Sequence, residues 1–341
     1  MINFYLNKIV RYLFSENYLA RFSVVVLTLL FFGKISAQCG SGTYNNNAWQ
    51  ICYQGSSTST AYSLGTITAG QYARLAVVKG FTYRFTSCGI GFDSQLTIKD
   101  DANNNLAYND DAGPDCTGNN ASVDWTATYT GYVRVNLHKF NCITGASGVV
   151  NVKVVGGSNT QDDQNAYGNG NWIGHVYDGG SSTASFTTYT GYYTEAENFD
   201  QSFSSGCLQL YSNGQPNVQM YNQTFSARYR MIKNYDCGVY TFTVGSDDGV
   251  RLYVNGVKMI DQWVDRGYTT NVSSSIYLSG PTYLVLEYYQ GGGGQRVSFS
   301  SSSVSVPLVG TLAKTDPTTC GGNGSITITP TYGTGSAALL Y

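Results

Sequence analysis

Short apolar runs that alternate with polar residues recur along this chain, and clusters of glycine, asparagine and aspartate separate them. In "YVRVNL", Val133 and Val135 point to one side of the chain. Arg134 and Asn136 point to the other side, because successive side chains of a strand face opposite ways. The 341 residues also include 40 Gly and 29 Tyr, which suit turns and half-buried pleated surfaces. Runs at this spacing without a helical period predict an all-β chain built of β-sandwiches.

The N-terminal residues have the pattern of a secretory signal peptide. Basic residues precede an apolar run at 22–32, and small residues follow it. The run has 11 residues, whereas a helix that spans a bilayer needs about 20. We therefore expect cleavage after Ala37, a secreted or bacterial cell-surface location, and no transmembrane span in the mature chain. A lipid anchor on Cys39 is the competing interpretation, but Gln38 stands where a small residue is required.

Changes in composition divide the chain into five segments. We expect a signal peptide over 1–37, a β-sandwich over 38–156, a polar linker over 157–170, a second sandwich over 171–305 and a third β-module over 306–341. The last segment is too short for an independent β-domain, so it is expected to be truncated. The predicted architecture is two tandem, jelly-roll-like β-sandwich domains followed by the start of a third module.

Cysteine usage predicts disulfides. The chain has 8 Cys without a CxxC pair, and its 2 His cannot complete a Cys/His zinc site. In an exported chain, disulfide bonds are the expected state. We prefer Cys207 with Cys237, because they are the only two cysteines in the segment at 171–305. Cys39 with Cys52 is expected as a local pair, the other cysteines of the segment at 38–156 are left unassigned, and Cys320 is expected to pair beyond the end of the sequence.

Charge and catalytic residue types argue against several function classes. The net charge of −2 with 12% charged residues offers no electrostatic grip on nucleic acid. His138 and His175 are the only histidines and lie in different segments, so a Ser-His-Asp triad would have to span two domains. No GxSxG or HExxH motif occurs. Glu195 and Glu197 lie two apart on one run, without a second wall for a glycosidase cleft. We predict a non-enzymatic protein.

The segment "TFTVGSDDGVRLYVNG" (241–256) places Asp247 and Asp248 side by side between two β-patterned runs. A turn needs only one Asp or Asn, and adjacent carboxylates repel each other. Spacing alone favours a plain polar hairpin turn. The alternative is a Ca²⁺ site, because Ca²⁺ takes about six to eight oxygen ligands and carboxylates on a tight loop supply part of that need. Downstream, Asn255 and Gly256 predict a two-residue turn with both residues at positive φ.

Residues 171–305 resemble the protective-antigen-type domain, a β-sandwich of fungal flocculins, bacterial adhesins, some glycosidases and toxins. The resemblance is carried by "NWIGHVYDG", "YTGYYTEAENFDQSF", "YTFTVGSDDGVRLYVNGVKMIDQW" and "YLVLEYYQGGGGQRVSFS". In that family two adjacent aspartates joined by a cis peptide bond hold a Ca²⁺ that coordinates sugar hydroxyls. The resemblance therefore implies a metal and sugar site at Asp247 and Asp248. A side-chain amide from the loop before the last strand often completes the site, which implies Gln290 or, preferentially, Gln295.

Two further segments resemble parts of exported proteins. Residues 38–156, through "GFDSQLTIKD" and "NDDAGPDC", are similar to the pre-peptidase C-terminal-type β-sandwich. The final "PTTCGGNGSITITPTYGTGSAALLY" resembles the start of a Bacteroidetes-type gliding-adhesin surface repeat. Together the resemblances imply an adhesin that binds glycans through Ca²⁺. Two alternatives stay open: an accessory carbohydrate-targeting module of a larger secreted hydrolase, and a structural spacer in which "SDDG" is only a turn.

Overall fold

A computed structural model of the protein describes residues 39–40, 42–53, 61–184, 186–204, 206–221, 223–304, 309–315 and 325–331. These residues form 24 strands and one short 3₁₀ helix, so the all-β prediction is confirmed. The predicted signal peptide and Cys320 lie outside the described residues. Within the described ranges, no helix is long and apolar enough to cross a membrane.

The first region contains ten strands, numbered in chain order. They are β1 (Thr43–Trp49), β2 (Cys52–Tyr53), β3 (Tyr62–Thr68), β4 (Gln71–Val77), β5 (Phe81–Thr86), β6 (Ser94–Lys99), β7 (Asn105–Asn109), β8 (Ser122–Thr126), β9 (Gly131–Lys139) and β10 (Ser147–Gly157). The 3₁₀ helix, Phe140–Cys142, follows β9.

Two sheets of the first region enclose an apolar core. One has the strand order β1-β4-β9-β6-β7 and the other β3-β10-β5-β8. Leu75, Val135 and Ile98 of the first sheet are fully buried, as are Phe85 and Val152 of the second. These side chains belong to one hydrophobic cluster, because alternation places every second residue of each strand on the inner face. The region is therefore a β-sandwich, as the spacing predicts.

The second region contains strands β11 to β22. They are β11 (Gly168–Asn169), β12 (Asn171–Asp178), β13 (Tyr189–Ala196), β14 (Phe199–Ser202), β15 (Cys207–Ser212), β16 (Gln215–Tyr221), β17 (Phe225–Asp247), β18 (Val250–Val254), β19 (Val257–Gln262), β20 (Thr269–Val272), β21 (Ile276–Gln290) and β22 (Arg296–Val304).

The long strand β17 contributes to both layers of the second region. Up to Tyr235, β17 pairs with β12 and β21. After a register shift that ends at Gly238, it pairs with β20, β22 and the start of β21. Trp172 of β12 meets Phe299 of β22 with ring centroids 4.8 Å apart. Phe242 of β17 lies 5.9 Å from Phe299. Aromatic side chains from both layers therefore fill the core of a second β-sandwich.

The two regions are joined by a shared sheet edge and a disulfide bond. Strand β2 pairs in parallel with β16, which places Cys52 beside Gln219. Cys52 is bonded to Cys207 of the second region. The hydroxyl of Tyr53 donates to Asp178 Oδ2 over 3.3 Å. A segment of the first region thus forms the edge of the second region's sheet.

The predicted Cys207–Cys237 bond is wrong. Cys207 begins β15, and the order β15-β16-β2 brings it to Cys52. Cys237 lies within the register shift of β17, where it is exposed and free. Its Sγ is 3.1 Å from Ser279 Oγ. Nearness in sequence misled the assignment because sheet pairing, which sequence spacing does not encode, decides which cysteines meet.

The predicted Cys39–Cys52 bond is wrong for the same reason. Cys39 is bonded to Cys142, with Cα atoms 5.3 Å apart. Cys88 is bonded to Cys116, a pair that the sequence leaves open. Three disulfides among the described residues agree with an oxidising compartment.

The last segment has β-structure in its described parts. Strands β23 (Val309–Thr315) and β24 (Ser325–Thr331) form an antiparallel pair. Strand β24 includes the alternating run at 325–329 that the sequence marks as a strand.

Candidate functional site

The two adjacent aspartates lie where β17 passes into β18. Asp247 is the last residue of β17, and β18 begins at Val250. The peptide bond between Asp247 and Asp248 is cis, as the family resemblance implies. Gly249 is required by the packing, because a Cβ there would lie 2.0 Å from Cε1 of Tyr289. Because β17 and β18 each pair with β21 and not with each other, the acid pair does not connect the two strands of a hairpin.

The carboxylate of Asp248 is held by backbone donors from two loops. Asp248 is buried, its Oδ1 accepts the N–H of Arg266 over 3.1 Å and its Oδ2 accepts the N–H of Gly291 over 2.8 Å. The hydroxyl of Ser246 donates to the main-chain oxygen of Asp248 over 2.6 Å. Hydrogen bonds from two N–H groups fix the direction of this carboxylate.

The carboxylate of Asp247 is held differently. Burial raises the pKa of Asp247, the adjacent charge of Asp248 raises it further, and a hydrogen bond from the backbone of Tyr268 opposes both. Gly294 of the loop before β22 approaches this carboxylate, because a Cβ there would lie 2.5 Å from Asp247 Oδ2. The main-chain oxygen of Asp247 accepts the hydroxyl of Tyr288 over 2.7 Å. Asp247 thus carries a negative charge that its surroundings disfavour, which a bound cation would relieve.

The two candidate glutamines are the first and last residues of the glycine loop, which we define as residues 290–295. Gln290 is fully buried; its Oε1 lies 2.9 Å from the Tyr288 hydroxyl, and its Nε2 has no partner. Gln295 directly precedes Arg296, which is the cross-strand partner of Asp247. The side-chain Oε1 of Gln295 is buried without a partner. An amide oxygen without a hydrogen-bond donor is a ligand that Ca²⁺ accepts.

Sequence reasoning missed a third carboxylate at this end of the sheet. Asp265 Oδ1 lies 3.8 Å from the position that a Cβ on Gly291 would take, and Asp248 Oδ2 lies 3.3 Å from the same point. The main-chain oxygen of Gly180 is 3.6 Å from it. The Tyr289 hydroxyl donates to Asp265 Oδ1 over 2.7 Å. The loops after β12 and β19 approach the pair only in three dimensions, so no spacing rule could have identified Asp265.

The oxygen donors around the glycine loop fit a hard cation. Carboxylates, side-chain amide oxygens and a main-chain oxygen are the ligand types that Ca²⁺ prefers, whereas nitrogen and sulfur ligands are typical of transition metals. In the part of the chain that the structure describes, no three or more His, Cys, Asp or Glu side chains form a metal-like group. A site here would rely on the Asp247–Asp248 pair with amide and main-chain oxygens.

Two models of known sequence families match this chain. Residues 182–309 match the sequence model of the PA14 domain, and residues 62–157 match that of a domain of unknown function (DUF8695). The resemblance of the first region to the pre-peptidase C-terminal-type sandwich stays a prediction. Anti-sigma-I factor RsgI3 of Acetivibrio thermocellus is 37% identical over 88 residues, which cover 25% of this chain and 14% of that protein. The chain therefore spans about one seventh of that relative's length.

Several solved structures are similar to this chain, and two of them are PA14 domains. The PA14 domain of the MpAFP antifreeze protein is 19% identical, with 42% of this chain and 88% of that chain covered and a TM-score of 0.31. The PA14 sugar-binding domain from an RTX adhesin is 16% identical, with 49% of this chain and 100% of that chain covered and a TM-score of 0.31. The PA14 match over residues 182–309 supports the lectin-like β-sandwich expected for the second region.

Proposed function

We propose that the second region is a calcium-dependent carbohydrate-binding module of an exported adhesin, and that it is not catalytic. The observation that carries the proposal is the meeting of Asp247 and Asp248 with the glycine loop, where Asp248 Oδ2 accepts the N–H of Gly291 and Gly294 approaches Asp247 Oδ2. Gln295, whose amide oxygen is buried without a partner, ends the same loop. The PA14 match over the same residues supports a lectin-like role.

The residues of the site have different roles in holding the ion. Asp247 and Asp248 supply charge, with Gln295 as the preferred amide ligand and Gln290 as the alternative. The N–H groups of Arg266 and Gly291 keep the Asp248 carboxylate in one direction. Bound Ca²⁺ supplies open coordination positions that accept vicinal hydroxyls of a sugar. The exposed glycines of the loop leave room for the ligand, because they carry no side chains over the acid pair.

Export and multivalency complete the proposed role. The three disulfides and the predicted signal peptide support a secreted or cell-surface location. A single site of this kind gives modest affinity, and firm adhesion arises when many copies engage a glycan surface together. The partners are cell-surface or extracellular glycans.

Calorimetric titration of Ca²⁺ into the mature chain tests the proposal. The mature chain is used because Cys52 ties the first region to the second. We expect wild-type binding, loss of binding in Asp247→Ala and in Asp248→Ala, and unchanged binding in Asp261→Ala. Asp261 is a matched control, since it is an exposed acid paired with Arg251. Glycan-array binding should require Ca²⁺ and disappear in EDTA. The mechanism is refuted if the wild type binds no Ca²⁺ or if both site variants bind it as well as the wild type.

A further inference from the structure

A groove of about 350 Å³ opens over β12 and β13 of the second region. Its volume lies within the range of about 300–1,000 Å³ that is usual for small-ligand sites. Strand alternation explains its floor: Trp172 and Val176 of β12 enter the core, whereas His175 faces the groove.

The walls of the groove are fixed by the segment predicted as a linker. Asn159 is 1% exposed. Its Nδ2 donates to the main-chain oxygen of Thr190 and to Ser212 Oγ, both over 3.1 Å. Asp162 Oδ1 accepts the N–H of Asn213 over 2.7 Å. The segment is thus held against β13 on one side and the β15–β16 turn on the other, which makes the groove a preformed feature.

Several polar groups that line the groove have no hydrogen-bond partner. The side chains of Gln161 and Asn213 and the hydroxyl of Tyr192 make none, and Asp163 uses one oxygen, Oδ1, to accept the N–H of Asn165 over 2.9 Å. These side chains are partly or fully exposed, so their donors and acceptors are open to a ligand. Polar groups that converge on one concavity are typical of a ligand site.

His175 adds a buried acceptor to this set. The residue is 1% exposed, and its Nε2 lies 3.0 Å from the main-chain oxygen of Ala166. Because a carbonyl can only accept, Nε2 carries the proton and Nδ1 is left as an acceptor, buried and without a partner. Burial lowers the pKa of His175, so the ring is neutral at neutral pH. Arg230, which lies nearby, donates instead to the hydroxyl of Tyr167 over 3.0 Å.

The charges of the groove select its ligand. Asp162 and Asp163 line it, and no lysine or arginine does. An anionic ligand would therefore be repelled, whereas hydroxyl groups can donate to the exposed carboxylate of Asp163. The ring of Tyr192 offers an apolar face of the kind that packs against sugars. We propose that this groove is a second carbohydrate site, which takes an uncharged saccharide and needs no calcium.

The groove is separate from the acid pair. Val250 follows the acid pair and lies opposite Tyr288 of β21. Tyr288 lies opposite Ala227 of β17, which in turn lies opposite Val176 of β12. Three strand spacings of about 4.8 Å separate Val250 from Val176 by about 14 Å across the sheet. The lining of the groove includes no residue of the acid pair or of the glycine loop. The proposal therefore stands even if the acid pair binds no metal.

A binding experiment in EDTA isolates the groove. The mature chain is applied to an array of neutral glycans (β-glucan, mannan and galactan oligosaccharides) and acidic ones (alginate and polygalacturonate oligosaccharides). We expect neutral glycans alone to bind in EDTA, and to bind Asp247→Asn as well as the wild type. Calorimetry with the best neutral oligosaccharide should show about ten-fold weaker binding for Asp163→Asn and for Tyr192→Ala, the loss of one hydrogen bond to a charged group or one stacked ring.

Matched controls separate the site from general damage. Asn at 163 keeps the acceptor for the N–H of Asn165, so this variant should fold normally. Tyr277→Ala removes an exposed tyrosine outside the groove and should bind like the wild type. If Tyr192→Ala lowers the melting temperature, Asp163→Asn alone decides. The proposal is overturned if no neutral glycan binds in EDTA, if acidic glycans bind instead, or if Asp163→Asn binds like the wild type. Loss of Ca²⁺ binding in Asp247→Asn concerns only the first site.

Discussion

Gly294 determines how closely the glycine loop approaches Asp247, and a single methyl group tests that role. In Gly294→Ala the new Cβ would lie 2.5 Å from Asp247 Oδ2, whereas ordinary contacts begin near 3.4 Å. Either the carboxylate or the loop must move by about 1 Å to relieve the overlap. The carboxylate moves more easily, because it is the end of a side chain.

A displacement of that size matters for an ion but not for folding. Ca²⁺–oxygen distances are about 2.3–2.6 Å, so a shift of about 1 Å removes Asp247 as a ligand. Disturbing the support of a metal ligand typically costs about 10–100-fold in affinity, which is about 1.4–2.7 kcal/mol. The backbone of Gly294 is outside the left-handed region, so alanine can adopt it. The loss of freedom in the unfolded chain, worth about 0.4–1 kcal/mol, offsets the cost of moving the carboxylate. We expect weaker Ca²⁺ binding with an undiminished melting temperature.

Titration calorimetry on the metal-stripped mature chain measures the affinity for Ca²⁺, and thermal unfolding measures the melting temperature. Gly267→Ala is the matched control, because its Cβ would meet nothing within 4 Å although it lies in a neighbouring loop. The control should bind Ca²⁺ like the wild type. If Gly294→Ala binds within about two-fold of the control, the glycine loop does not position Asp247 and the reasoning is refuted.

Three further predictions concern stability. Because the pKa of Asp247 is raised in the folded state, the calcium-free protein gains stability as the pH falls through that pKa and loses it as the pH rises. Asp247→Asn should therefore raise the melting temperature of the calcium-free protein at neutral pH. A lower melting temperature would contradict this. Cys52→Ala removes a disulfide bond between residues 155 apart and should lower the free energy of unfolding in urea by about 2–5 kcal/mol. Cys237→Ser should leave that free energy unchanged. Peptide mapping that links Cys207 to Cys237 would refute the pairing. Trp172→Ala should cost about 3–5 kcal/mol in urea unfolding, since the ring is fully buried in the second core, and a loss below about 1 kcal/mol would show a core that closes around the gap.

Local patterns in the sequence predict the local structure well. The alternation over 240–244 places Phe242 and Val244 in the core, and both are fully buried. Asn255 and Gly256 have φ of 49° and 82°, as their turn chemistry predicts. These features depend on residues within a few positions of one another, so strand alternation and turn preference are sufficient to find them.

Features that depend on sheet order could not be predicted in this way. The Cys52–Cys207 bond follows from the parallel pairing of β2 with β16, which no composition or spacing encodes. Asp265 reaches the glycine loop because β20 pairs with the end of β17 and fixes the preceding loop. The segment at 157–170 is almost entirely polar or glycine, so its composition predicts a linker. Asn159 is nevertheless buried through hydrogen bonds to distant strands.

The two aspartates of the pair have unequal roles, and this determines which variant is informative. Asp248 is tied to the N–H groups of Arg266 and Gly291, so its removal leaves two backbone donors without an acceptor and loosens both loops. Asp247 has the raised pKa and touches the loop through Gly294, where the contact is steric. Neutralising Asp247 therefore relieves repulsion without releasing the loops. A loss of binding in Asp247→Asn reports on the site itself, whereas a loss in Asp248→Ala combines a missing ligand with a disordered support.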